Sequence, residues 1–141
     1  MSELWREAEL RSGGEKVIKT HKLASKEWVG EAVEVKDGFA KVRLKTREEM
    51  KVDEYGLIHG GFTFGAADLA AMLAVNEETV VLYKAEVKFT APVKVGEEIV
   101  ATAKVVEVDG RKRKVEVEAW TDKKVLEGVM YCYVPEKHVL S

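Results

Sequence analysis

Asp68 is the only charge in a run, Phe62 to Val75 (FTFGAADLAAMLAV), that is otherwise built for burial, and His59-Gly60-Gly61 stands directly ahead of it. An unpaired carboxylate in apolar surroundings is costly, or it holds a proton by raising its pKa. Strongly shifted carboxylates gather at functional sites, so Asp68 is a candidate general base or nucleophile. The alternative is structural: a loop donates hydrogen bonds to the carboxylate, which then fixes the helix. Two glycines opening a helix leave backbone N–H groups accessible at the positive end of its dipole. That suits a carbonyl oxygen acquiring negative charge, although Gly-Gly also permits a tight entry into a helix. Gly60 and Asp68 are eight residues apart, about 12 Å along a helix. One ester or thioester carbon cannot touch both within one chain. If they serve one reaction, the carboxylate of one subunit works with the glycine N–H of its neighbour. The active unit is then a dimer whose central helices lie side by side.

The elements that must position these groups are legible in the patterning. A helix is predicted from about Gly61 to Asn76, apolar all round, so strands and a second subunit must cover it. Two alternating segments, WVGEAVEV and FAKVRLKT, flank Lys36-Asp37-Gly38, a hairpin signal. REEMKVDEYGLI reads as a loop. After the helix come four segments of strand composition: VVLYKAEVKFTAP, EEIVATAKVVEV, KRKVEVEAWT and VLEGVMYCYV. Their connections are Pro92 to Gly96, the Asp109-Gly110 turn and Thr121 to Lys124. Residues 3–10, ELWREAEL, have the pattern of a short helix ending at Gly13-Gly14, with 1–20 forming an N-terminal extension. The order of two strands, one helix and four strands implies one α+β domain over 1–141, with one antiparallel sheet around one central helix.

Those motifs bear a family resemblance. HGG ahead of a long apolar helix, with an acid nine positions after the histidine, resembles the hotdog-fold acyl-CoA thioesterases. The similarity is to the group that includes the phenylacetyl-CoA and 4-hydroxybenzoyl-CoA thioesterases. DEYGLIHGGFTFGAAD keeps Gly56, His59, Gly60, Gly61 and Asp68 at the family spacing, and VKFTAPVKVGEEI resembles its Phe-x-x-Pro-Val-x-x-Gly strand and turn. The resemblance covers residues 23–134. It implies a hotdog fold and hydrolysis of an acyl-CoA thioester, with coenzyme A entering only as part of the substrate and no further cofactor. Asp68 would be general base or nucleophile, the partner's Gly60 N–H would polarise the carbonyl, and His59 would fix the loop. Gly61, Phe62, Thr63 and Tyr83 are candidate substrate contacts, with Phe64 and Met72 further candidates for the acyl pocket. The minimal unit implied is a homodimer, with a homotetramer expected.

The chain also departs from that pattern. Asp53 stands where the family has asparagine, six residues before the histidine; an ionised aspartate accepts hydrogen bonds but donates none. Asp53 and Asp68 meeting across an interface would raise one pKa by like-charge repulsion. A family Ser or Thr ten residues before the proline is Leu82 here, with Thr79 and Tyr83 nearby but out of register. Arg111 and Arg113, beside the Asp109-Gly110 turn, are candidates for the coenzyme's phosphates, or an ordinary solvated hairpin tip.

Composition narrows the classes. With 141 residues and a net charge of −2, no basic excess argues for nucleic acid. The longest apolar run is too short for a membrane span, and the charged first residues lack a secretory pattern, so a soluble cytoplasmic protein is expected. The single cysteine, Cys132, reads as strand filler. His21, His59 and His138 have no metal-ligand spacing. The absence of glutamine, with Asn76 the one asparagine, is a thermophile signature. Asn76 itself reads as a helix C-cap. Two further function classes remain beside hydrolysis: a non-catalytic acyl-CoA-binding sensor, and a dehydratase, whose His–carboxylate motifs the chain lacks.

Overall fold

The structure, a computed structural model, describes residues 14–141; the helix expected over 3–10 lies outside the described residues. Six strands form one antiparallel sheet: β1 (Glu31–Lys36), β2 (Phe39–Lys45), β3 (Val81–Phe89), β4 (Glu98–Asp109), β5 (Lys112–Trp120) and β6 (Lys124–Tyr133). Their spatial order is β1-β2-β4-β5-β6-β3. The one α-helix among the described residues, α1 (Gly60–Val75), connects β2 to β3 and so carries the chain to the far edge of the sheet. No helix of the described residues is long and apolar enough to cross a membrane.

The strands form where the pattern alternates. Val42, Leu44, Ile99, Ala101, Ala103, Val115, Val117, Ala119, Met130 and Cys132 are all buried, and charged neighbours such as Arg43, Lys104 and Glu116 face outward. Alanines on β2, β4 and β5 meet Ala66, Ala67, Ala70, Ala71 and Ala74 of α1, also buried, and small side chains on both sides let helix and sheet approach closely. The WVG start of the first predicted strand is instead a turn. Gly30 has φ +129°, and its N–H and that of Val29 both bond the carbonyl of Ser25, so pairing begins only at Glu31. The predicted loop 47–58 holds a single 3-10 turn, Glu48–Met50.

Helix α1 ends at Asn76 in the left-handed conformation, with its N–H on the Met72 carbonyl, as a C-cap requires. Its side-chain amide does a second task. Nδ2 donates to Val17 O at 2.9 Å and Oδ1 accepts from Lys19 N at 2.8 Å. This clasps the incoming segment, whose Lys16 N–H bonds Val35 O of β1.

Strand β3 is held tightly against β6. At Gly128, which pairs with Val87, a Cβ atom would fall on the Glu86 carbonyl oxygen and 2.6 Å from Val87 Cα. Both obstacles are backbone, so neither yields without breaking the ladder. Gly128→Ala is expected to destabilise the protein by about 3 kcal/mol or more, or to abolish soluble expression. A urea midpoint equal to that of the parent chain would contradict this.

Candidate active site

Helix α1 packs chiefly on β2, β4 and β5 and least on β3. Towards β3 a stripe of the helix stays uncovered: Gly61 is exposed, and Phe64, Gly65, Asp68 and Val75 are half-buried. Their spacing of three, four and seven residues puts them on one face. A Cβ placed on Gly65 would meet nothing within 4 Å. Strand β3 borders the same opening and has only β6 as a neighbour, so its other edge is unpaired. Its Tyr83 and Phe89 are exposed.

Asp68 sits in the middle of this stripe. Its Oδ1 is shielded from solvent and has no hydrogen-bond partner among the described residues. Burial alone pushes its pKa up from 3.8 to about 6. At neutral pH the group is ionised, poorly solvated and more basic than an ordinary aspartate, which suits a general base or nucleophile. The structural alternative, a carboxylate held by loop donors, finds no such donor at Oδ1. On the sheet side Asp68 lies near Cys132, whose thiol is raised to about 12 by burial and secondarily by the Asp68 charge. Such a thiol stays protonated and is no nucleophile.

The start of α1 lies at the other end of the opening. His59 is the N-cap residue, but its side chain caps nothing. Its backbone N–H bonds Met50 O, and its ring stands edge-on to Phe62 with centroids 6.1 Å apart. A Cβ on Gly61 would lie 3.1 Å from His59 Nε2, and one on Gly60 would lie 3.3 Å from the Phe89 ring. A side chain at either position would need the neighbouring ring to give way by a few tenths of an ångström. Among the described residues no backbone carbonyl outside the helix accepts the N–H of Gly60 or Gly61, which leaves two donors at the positive helix end.

Asp53 belongs to the loop that sets this end in place. Its Oδ1 accepts from Tyr55 N at 3.0 Å and Leu57 N at 3.1 Å, an Asx turn that shapes the approach to His59. An asparagine makes the same two bonds through its oxygen, so the aspartate preserves the loop and changes only the second atom, from a donor to an acceptor.

The remaining predicted residues spread out. Phe62 is half-buried beside the helix start, whereas Thr63 and Met72 are packed inside the chain's own core. Leu82 is half-buried at a β-bulge, and the Thr79 hydroxyl donates to Pro135 O at 2.6 Å. Arg111 donates to Val134 O, and Arg113 to the carbonyls of Gly110 and Lys112. Their hairpin pairs with Tyr133, which pairs with Val81. It therefore lies at the opposite end of β3 from Phe89 and Gly60. A concavity of about 780 Å3 on the outer face of the sheet, between Phe39, Val87 and Gly128, contains none of the predicted residues. Two residues at this opening were not singled out from the sequence: Phe89, which lies within the FTAPVKVG segment, and Gly65, whose signal was a helix-breaking residue amid alanines.

The profile of the thioesterase superfamily matches residues 55–127, slightly more than half of the chain. The chain belongs to that superfamily. Among solved structures, this superfamily member resembles the uncharacterized protein PH1136 of Pyrococcus horikoshii at 59% identity and a TM-score of 0.89, over 90% of this chain and 98% of that one. The six-stranded sheet and single long helix are the hotdog fold of the superfamily. Two curated relatives carry other names. The methylthioribose-1-phosphate isomerase of Aquifex aeolicus is 52% identical over 81% of this chain but only 25% of its own length. Transcription factor FapR of Bacillus velezensis is 32% identical over 68% of this chain and 52% of its own. The chain thus spans a quarter of one relative and about half of the other.

Proposed function

We propose that the protein hydrolyses an acyl-CoA thioester with a site shared between two subunits. The observation that carries this reading is Asp68: a carboxylate with a solvent-shielded, unpartnered oxygen on the uncovered face of α1, in a chain of the thioesterase superfamily. Asp68 of one subunit takes a proton from water as the oxygen attacks the thioester carbon, or attacks that carbon itself. The Gly60 N–H of the partner subunit stabilises the negative oxygen that forms. With Asp68 as base, collapse of this adduct breaks the carbon–sulfur bond and the departing CoA thiolate takes up the proton. With Asp68 as nucleophile, the thiolate leaves behind an acyl–Asp68 anhydride, which water hydrolyses to the free acid and the restored carboxylate, its released proton going to the thiolate. The unpaired outer edge of β3 supports such a dimer, formed by antiparallel pairing of two such edges. It would bring the Phe89 end of one strand, with its Gly60, to the Val81 end of the other and close the stripe around Asp68.

A second reading, a sensor that binds acyl-CoA without cleaving it, is favoured by the likeness to a transcription factor. Thiol release from a panel of acyl-CoAs, short-chain to aromatic, separates the two. Turnover of at least one member, lost with Asp68, supports hydrolysis; saturable binding with no turnover of any member supports the sensor.

A further inference from the structure

We propose that a cleft between the turn ahead of β1 and the C-terminal end of β2 binds the nucleotide end of the CoA substrate, the adenosine with its 3′-phosphate and 5′-diphosphate; this rests on the thioester reading above. The cleft, about 500 Å3, is lined by four bases, Lys26, Arg43, Lys45 and Arg47. Three of them follow one another at a spacing of two along β2 and its continuation, alternating with buried Leu44 and Thr46, so they stand on one outward face.

Three acids also line the cleft, Glu27, Glu31 and Glu98, one fewer than its bases, and Glu98 stands opposite Lys45 in the β2–β4 ladder. Glu31 engages Arg43, accepting from Nε at 3.1 Å and Nη2 at 3.0 Å. Glu27 and Glu49 lie 3.8 and 3.7 Å from the Arg47 guanidinium. The ammonium groups of Lys26 and Lys45 have no ion pair among the described residues. Two fixed guanidiniums with donors to spare, beside two free ammoniums, form an anion site of the kind phosphates seek.

An aromatic path joins the cleft to the reaction centre. Arg47 lies 5.3 Å over the ring of Trp28, which is 39% exposed. Trp28 in turn lies 6.3 Å from Phe62, two residues beyond Gly60. A thioester whose carbonyl meets the Gly60 N–H can lay its pantetheine arm along Phe62 and Trp28 and deliver its phosphates to Lys26 and Lys45. The hairpin arginines suit this less, because Arg111 and Arg113 already donate to backbone carbonyls.

The test uses the full chain and its Lys26→Ala/Lys45→Ala double variant. One acyl group is presented as its CoA thioester and as its N-acetylcysteamine thioester, which has no nucleotide. The expected result is a KM raised about tenfold for the CoA thioester only, with kcat unchanged. Arg111→Ala/Arg113→Ala is expected to leave both substrates unaffected. A KM that stays the same, that rises equally for both thioesters, or that follows the hairpin variant instead, overturns the assignment. Should neither thioester be hydrolysed, the reading as a hydrolase fails on its own. Calorimetric titration with adenosine 3′,5′-bisphosphate then decides the subsite: binding lost in the Lys26/Lys45 variant supports it, and binding unchanged or absent in the parent chain overturns it.

Discussion

Asp68→Asn is expected to lower acyl-CoA hydrolysis by about 1,000-fold or more, because it removes the carboxylate proposed to activate water or attack the thioester. The same change is expected to make the fold more stable. In the folded chain the Asp68 pKa is raised from 3.8 to about 6 by burial. Below pH 3.8 both folded and unfolded states hold the proton and burial costs nothing. Between 3.8 and 6 the unfolded state releases the proton while the folded state keeps it, so stability falls as pH rises. Above 6 the folded state carries the buried charge, at a cost of up to about 3 kcal/mol. Asp68→Asn, which has no such charge, should therefore exceed the parent chain at pH 7.5 and lose that advantage near pH 4. Urea midpoints at the two values measure the difference. Activity has the opposite slope: kcat/KM should rise through about pH 6 as the carboxylate ionises. A variant that loses activity and stability together would mean that Asp68 is a structural anchor.

Gly65→Leu gives the second large effect, by a different route. A glycine inside a helix costs about 1 kcal/mol relative to alanine, and among the described residues outside its own turn of helix no atom lies within 4 Å of its absent Cβ. The residue stands three positions before Asp68 on the uncovered stripe. On the proposed function, this open face receives the partner helix or the substrate. Gly65→Leu should fold with stability equal to or above that of the parent, while thioester hydrolysis falls by about 100-fold or more. Gly65→Ala should stabilise by about 0.5–1 kcal/mol in thermal melts. Full activity in Gly65→Leu would show that this face is solvent and that the site lies elsewhere.

The two effects show what the sequence could and could not disclose. The helix was readable to within a residue, because a long alanine-rich run ending in the one asparagine has few alternatives. Asp68 stood out since a lone carboxylate conflicts with such a run, and its raised pKa follows from the same conflict. The strands were readable by alternation, but the beginning of β1 was not, because the positive φ of Gly30 is set by a turn closing on Ser25. Asp53 looked like a change of chemistry. Its bonds to Tyr55 and Leu57 make it first a loop former, a role fixed by three-dimensional placement. The basic face of the cleft was not legible for a similar reason: Lys26 joins Lys45 only after the chain folds, while Arg111 and Arg113 stand close together in the sequence beside a turn. The stripe bearing Gly65 was hidden because the helix looks equally apolar on all sides until the sheet covers only part of it.

The central claim is that Asp68 acts with the Gly60 N–H of the other subunit. It is tested by mixing two inactive chains. Gly60→Pro deletes that N–H at the first helical position, where proline is tolerated, and His59 already has the extended conformation that a following proline requires, with φ −58° and ψ 130°. Asp68→Ala deletes the carboxylate. Each variant alone should be inactive. Unfolded and refolded together, they should recover about a quarter of the parent activity, since half of randomly paired dimers are mixed and each mixed dimer holds one intact site of two. If the mixture stays as inactive as its components although mixed dimers are present, Asp68 and Gly60 do not meet across the interface, and the shared site is wrong.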